Sequence, residues 1–216
     1  MNKTSFTLTE LVLGMAITAM IGLAVAGASS VLSGSYSSDV QAHQSLQTAR
    51  IAMLKANDEL RRAKLILFAG DNYFMIWREG DDADDEINIS EIITFRHDAS
   101  QKKLLRHQVV YPPSLHSLWV MLLNYEVPLN TLITSPAYCL SSLLNMLYCQ
   151  TAVVAEDVQS FSVWTNNSPP RTDHVVIDIV VGKDSGSFHL RNSATLRRPA
   201  TDQVGRANGE WVLFGD

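Results

Sequence analysis

The chain has 216 residues, with 22 acidic and 17 basic side chains and a formal net charge of −5. The basic residues are dispersed, whereas a nucleic-acid interface needs a concentrated basic surface, so direct nucleic-acid binding is not indicated. This length predicts one modest globular domain in addition to any membrane segment.

The first distinctive segment is apolar and uncharged. Between Leu11 and Asp39 the sequence contains no Asp, Glu, Lys or Arg. As a helix, a run of this length can cross the roughly 30 Å hydrocarbon core of a bilayer. Lys3 precedes the segment and the next Lys or Arg is Arg50. The positive-inside rule therefore predicts a cytoplasmic N-terminus and an exported remainder.

One acid, Glu10, lies at the front of this apolar segment. An ionised carboxylate costs about 2.5–3.5 kcal/mol at the centre of a membrane helix and marks a functional position. If the chain were cut between Ser5 and Phe6, the new α-amine of Phe6 would lie one helical turn from Glu10. The amine and the carboxylate could then pair within one helix or, better, between neighbouring helices.

This stretch resembles the class III signal of type IV prepilins and type II secretion pseudopilins. The resemblance is carried by a short basic leader at residues 1–5, then Phe6, Thr7-Leu8, Glu10, Leu11 and Ala16-Ile17. It implies cleavage before Phe6 by a membrane prepilin peptidase, methylation of the new amine, and assembly with other pilin or pseudopilin subunits. It also implies a single-pass protein of the bacterial inner membrane. Ser5 stands where the family usually has Gly, but Ser is also small, so cleavage is still expected.

Two other interpretations apply to segments of this kind, a secretory signal and a plain signal-anchor. A secretory signal has an apolar core of about 7–15 residues and a cleavage site after it. Here the apolar run is about twice that length, with the acid at its front. A plain signal-anchor fits the length but gives no reason for Glu10.

The assembly helix is predicted over residues 6–34, and an exported amphipathic helix over residues 35–68. Apolar side chains at spacings of three and four form a narrow seam on the second helix: Leu46, Ala49, Met53, Ala56, Leu60, Ala63 and Leu67. The seam could pair in a coiled coil. Packing on the protein's own sheet is favoured, because the small alanines would let the sheet approach closely.

Residues 69–216 are predicted to form a β-rich globular domain. Strands are predicted at residues 73–77, 87–95, 104–111, 158–164, 175–181, 187–196 and 211–214. Residues 115–132 are apolar without a clear period, and Ser135-Pro136 predicts the start of a short helix. The expected fold class is α+β and pilin-like, with a long N-terminal helix packed on an antiparallel sheet. Weaker similarity to the J-type minor pseudopilin lies at residues 58–63, 92–96, 104–106, 158–164 and 193–197.

Cys139 and Cys149 would lie in an oxidising compartment. In one straight helix their spacing of ten residues corresponds to about 15 Å along the axis, whereas a disulfide needs Cα atoms within about 7 Å. Either the segment turns back and a disulfide forms, or the thiols stay free.

An acidic run near residue 84 offers a weak candidate for a Ca²⁺ site. Asp82, Asp84 and Glu86 have the alternate spacing of an EF-hand start, but Ile87 replaces the required glycine and no acid closes the loop. A solvated hairpin loop is the favoured interpretation. The sequence contains neither a G-x-S-x-G nor an H-E-x-x-H motif, so neither an enzyme nor a cofactor is predicted.

The sequence therefore predicts a minor pseudopilin or minor pilin, placed by the resemblance at or near a filament tip. Secretion, adhesion or motility, and DNA uptake all remain open as its system. The alternative is an exported ligand-binding or enzymatic domain that uses the apolar segment only as a tether.

Overall fold

The computed structural model describes residues 7–78, 86–183, 186–196, 199–207 and 209–213. The chain divides into two compact units, Met1–Gln44 and Ser45–Asp216. Helix α1, Leu8–Arg62, contributes to both units. The predicted α+β class, with a long N-terminal helix and antiparallel sheets, is confirmed.

The predicted helix end at residue 68 is wrong. Helix α1 ends at Arg62, and Leu65–Ala69 forms strand β1. The backbone leaves the helix because the Lys64 N–H donates to the Trp77 carbonyl at 2.8 Å, which begins the pairing of β1 with the next strand. Three consecutive side chains from Leu65 are fully buried, a pattern that suits a strand covered on both faces. Leu67 therefore lies on a strand, and Ala63 lies just past the helix end.

Five antiparallel strands form the main sheet in the order β1 to β5. After β1 these are β2 (Tyr73–Trp77), β3 (Ile92–Asp98), β4 (Lys103–Val109) and β5 (Cys149–Ala155). Strand β3 begins later than predicted because Ile89–Glu91 forms a 3₁₀ turn. The Glu91 carboxylate accepts from the Asn88 N–H at 3.1 Å and so closes that turn.

The part of helix α1 that belongs to the unit Ser45–Asp216 lies on one face of this sheet. Arg106, which pairs across the strands with Phe95, donates to the Glu59 carboxylate of α1 at 2.8 Å. The face that carries Phe95 and Arg106 therefore faces α1. Helices α2 (Ser117–Leu123), α3 (Leu129–Thr134) and α4 (Pro136–Leu144) lie in the connection between β4 and β5. Pro136 occupies the start of α4, as its sequence context predicts.

A three-stranded sheet completes the core. Its strands are β6 (Val158–Thr165), β7 (His174–Lys183) and β8 (Gly186–Thr195), and β9 (Val204–Ala207) pairs with β10 (Glu210–Leu213) in a separate ribbon. The Phe161 ring of β6 lies 6.0 Å from Phe74, whose ring stacks on Phe95 at 4.8 Å. The two larger sheets are therefore joined through aromatic side chains.

Candidate assembly site on the N-terminal helix

The Glu10 carboxylate is bound by its own chain. Its Oε2 accepts from the Thr7 N–H and from the Thr7 hydroxyl, each at 2.9 Å. Thr7-Leu8-Thr9-Glu10 is a Thr-x-x-Glu pattern, in which the acid satisfies a free amide at a helix start. The sequence contained this signal, but the prediction for Glu10 had considered only pairing with an amine. Hydrogen bonds from neutral donors leave the carboxylate charged, and it can accept further donors.

The predicted processing residues Ser5 and Phe6 lie outside the described residues. The described helix begins at Leu8, two residues beyond Phe6. The expected pairing of Glu10 with the Phe6 amine therefore stays a prediction.

The apolar half of α1 exposes its side chains. Large residues from Leu8 to Leu32 are at least half exposed. Within the described part of the chain, α1 is the one helix that is long and apolar enough to cross a membrane. No residue of its most apolar stretch is buried in the protein. This surface is therefore available to lipid or to other helices.

Small residues follow Glu10 along one row of the helix. At successive steps of four they are Gly14, Thr18, Gly22, Ala26, Ser30 and Gly34. A Cβ added at any glycine of this row would meet no heavy atom within 4 Å, so the protein itself leaves the space beside these glycines open. The Thr18 hydroxyl donates to the Gly14 carbonyl at 2.7 Å, so it needs no external partner. Rows of this kind let membrane helices approach closely.

The apolar seam of the second half of α1 points into the protein core. Six of its seven members are buried and Leu46 is half-buried; the buried ones are Ala49, Met53, Ala56, Leu60, Ala63 and Leu67. Ala52 is also fully buried but was not part of the predicted seam. The structure therefore uses this face for packing within the unit Ser45–Asp216.

The structure places Cys139 and Cys149 apart as free thiols, so the possible disulfide is not formed. The chain does turn back before Cys149, whose N–H donates to the Met146 carbonyl at 3.1 Å. The Cys139 thiol instead lies 3.7 Å from the Thr131 carbonyl, to which it donates. Burial raises the pKa of both thiols, which makes them poor nucleophiles.

The calcium candidate falls mostly outside the described residues. Asp82 and Asp84 lie there, and Glu86 is the one member of the three that the structure describes. Elsewhere in the described ranges there is no group of three or more His, Cys, Asp or Glu side chains that could hold a metal ion.

Two charged clusters were not predicted from the sequence. Glu59 binds Arg106 and also Arg78, the latter at 3.4 Å. On the three-stranded sheet, the buried Asp178 carboxylate contacts His189 and accepts from Arg191 at 2.9 Å. The first cluster joins residues 19 and 47 positions apart, and the second joins residues 11 and 13 positions apart on the paired strands β7 and β8. Single-sequence patterns do not show such side-chain contacts. We interpret them as structural, because each links elements of the fold.

Comparison with family models, with curated proteins and with solved structures found no match for this chain. Function is therefore inferred from its own residues.

Proposed function

We propose that the chain is a membrane-anchored filament subunit, a minor pseudopilin or minor pilin, cut before Phe6 and assembled through its N-terminal helix. The observation that supports this most is a lone acid, Glu10, at the start of an exposed apolar helix. Glu10 also lies on the same row as the small residues of that helix. A plain membrane tether requires neither feature.

The proposed role of Glu10 follows from its charge. In a bundle of like helices the carboxylate is removed from water, and burying an unpaired charge costs several kcal/mol. The two donors from Thr7 lower this cost but do not neutralise the charge. The α-amine of a neighbouring Phe6 would neutralise it. Because the pair has a defined geometry, it would also fix the axial position of one subunit against the next.

The proposed place of the subunit rests on the weaker resemblance to the J-type minor pseudopilin. Two of the matching stretches, residues 92–96 and 158–164, lie in strands β3 and β6. In this proposal the unit Ser45–Asp216 is exported, and the subunit sits at or near the filament tip beside other minor subunits.

The test is Glu10→Gln. Glutamine can occupy the same capping position, so the substitution keeps the helix start and removes only the charge. We expect filament incorporation to fall at least tenfold, because the variant loses its ion pair with the amine. Incorporation is measured as the share of the protein in sheared filaments, or in crosslinked subunit ladders from membranes.

Thr7→Val is the matched control. It removes the hydroxyl donor to Glu10 and keeps both the charge and the backbone N–H bond. We expect this variant to assemble nearly as the wild type does. Normal assembly by Glu10→Gln would contradict the proposal and favour the tether.

A further inference from the structure

Helix α2 presents an unusual surface. Six of its seven residues are apolar, and none of its side chains is buried. Leu118, Trp119, Met121 and Leu122 are 63%, 59%, 79% and 71% exposed; these four residues are called the α2 surface. Contiguous exposed apolar residues of this kind mark interaction sites in folded domains.

The C-terminal end of α2 is fixed to the rest of the fold. At its start, the His116 ring accepts from the Leu118 N–H at 3.3 Å, which caps the helix within its own segment. Just after it, the Asn124 side chain accepts from the Ser90 N–H at 3.2 Å, and the Tyr125 carbonyl accepts from Ile89 at the same distance. The helix is therefore held in place by polar contacts, while its apolar side chains point to solvent.

A groove of about 880 Å³ lies beside the helix. Its lining includes Met121, Tyr125, Tyr111 and Pro112. The Tyr111 hydroxyl is buried and has no hydrogen-bond partner among the described residues. Burial raises the pKa of Tyr111 to about 12, so this hydroxyl stays protonated at neutral pH. The groove is large enough to accept side chains from another chain.

The charges around the groove are acidic. Glu86 and Glu126 are its charged lining residues, and Glu86 ends an acidic run in the sequence. No Lys or Arg occurs between Arg106 and Arg171. A helix that binds a membrane surface carries Lys or Arg toward anionic headgroups, so this composition disfavours lipid. In a two-fold contact the same face is present on both copies, so a second copy would add another Glu86 and Glu126 and no compensating Lys or Arg from residues 107–170.

We propose that the α2 surface binds an amphipathic segment of a different protein chain, with apolar residues on one face and Lys or Arg beside them. The apolar residues would enter the groove next to Met121 and Tyr125, at helical spacings of three and four. The basic residues would meet Glu126. The chemistry of the α2 surface is independent of the proposed function. The identification of this partner as a neighbouring filament subunit rests on the proposed function.

The test uses the full-length chain in phosphatidylcholine nanodiscs. The probes are two helical peptides of about 15 residues with the same leucine stripe. All remaining positions are Lys in the first peptide and Glu in the second. Trp119 lies on the surface and reports binding, read as the emission change that Trp119→Phe abolishes. We expect a blue shift with the Lys peptide and roughly tenfold tighter binding than with the Glu peptide.

Glu126→Lys should reduce this preference by at least about two- to fivefold, the size of one exposed ion pair, because the reversed charge removes an attraction to the Lys peptide and also adds a repulsion. The matched control is Glu156→Lys, an exposed acid that pairs with Lys103 at the opposite end of β4. It should leave the preference unchanged. Met121→Ser should weaken the binding of both peptides, because it removes an apolar contact from the groove.

Four outcomes would overturn the inference. Two concern the peptides: equal binding of both peptides, or an unchanged preference in Glu126→Lys. The other two are a Trp119 emission shift without peptide, caused either by anionic vesicles or by a rise in chain concentration alone. The last two would identify a lipid or a second copy as the occupant. The peptide-binding measurement needs no filament. A negative result would therefore overturn the inference about α2 without bearing on the filament proposal, which the Glu10→Gln assembly experiment tests separately.

Discussion

Glu59 links helix α1 to the main sheet through ion pairs. Its side chain is 15% exposed and binds Arg106 at 2.8 Å and Arg78 at 3.4 Å. We expect Glu59→Gln to lower the free energy of unfolding by about 1–2 kcal/mol, because charge-assisted hydrogen bonds become neutral ones. Urea unfolding of the nanodisc-bound chain, followed by near-UV circular dichroism, measures this change.

The neighbouring residue provides the control. Asp58 pairs with Arg62 at 3.0 Å, but both side chains are more than half exposed. Asp58→Asn should change the stability by less than about 0.5 kcal/mol, because solvent screens such pairs. Equal effects of the two substitutions would contradict the structural role given to Glu59.

His107 predicts a pH dependence for the stability of the unit Ser45–Asp216. It is buried, and its Nδ1 lies 2.8 Å from the Thr151 hydroxyl. Burial, with a smaller contribution from Arg96, lowers its pKa below 6.5. Below pH 6.5 the unfolded chain therefore binds a proton that the folded chain does not, so stability falls on acidification. The maximum slope from this group is about 1.4 kcal/mol per pH unit.

His107→Gln removes this titration. We expect the unfolding midpoint of the wild type to decrease more steeply between pH 7 and pH 5.5 than that of the variant. Parallel pH profiles of the two proteins would show that His107 does not contribute.

At the level of single elements, the close contact between α1 and the core depends on small side chains. Ala49, Ala52 and Ala56 are completely buried on one face of the helix. We expect Ala56→Leu to reduce the free energy of unfolding by about 1–3 kcal/mol, because the added atoms overfill a packed core. Lys55→Leu places the same side chain on the exposed face and should change it by less than about 0.5 kcal/mol. Thermal unfolding of both variants distinguishes a packed face from an open one.

The sequence predicted an element correctly where the segment fitted a single hydrophobic period. Every second residue of strand β7 from Val175 to Val181 is a buried apolar one, and the position of the strand was predicted within two residues at each end. Strand β1 was missed because Ala63 and Leu67 continue the helical spacing of the seam. Only the long-range pairing with β2 turns this stretch into a strand.

The candidate site was only partly predictable. Glu10 stood out because it is the one acid at an apolar segment, which is a local property of the sequence. The exposure of α2 was not predictable, since an apolar run of ambiguous period normally indicates a buried element. Tertiary packing of the whole domain decides whether a given apolar run is buried in the core.

For the whole molecule, the two compact units correspond to two proposed tasks. The unit Met1–Gln44 carries the apolar helix and Glu10, and the unit Ser45–Asp216 contains the sheets, the buried core and the α2 surface. The proposed function assigns anchoring and assembly to the first unit. It assigns partner contacts outside the membrane to the second.

The most direct test of the filament-subunit proposal is the intact mass and N-terminal sequence of the protein recovered from its native membrane. The account predicts a chain that starts at Phe6 and carries one added methyl group on its amine. A chain that retains residues 1–5 would show an anchored domain without prepilin processing. A cut beyond Leu32 would show a secreted protein. Either of these results would contradict the proposed filament subunit.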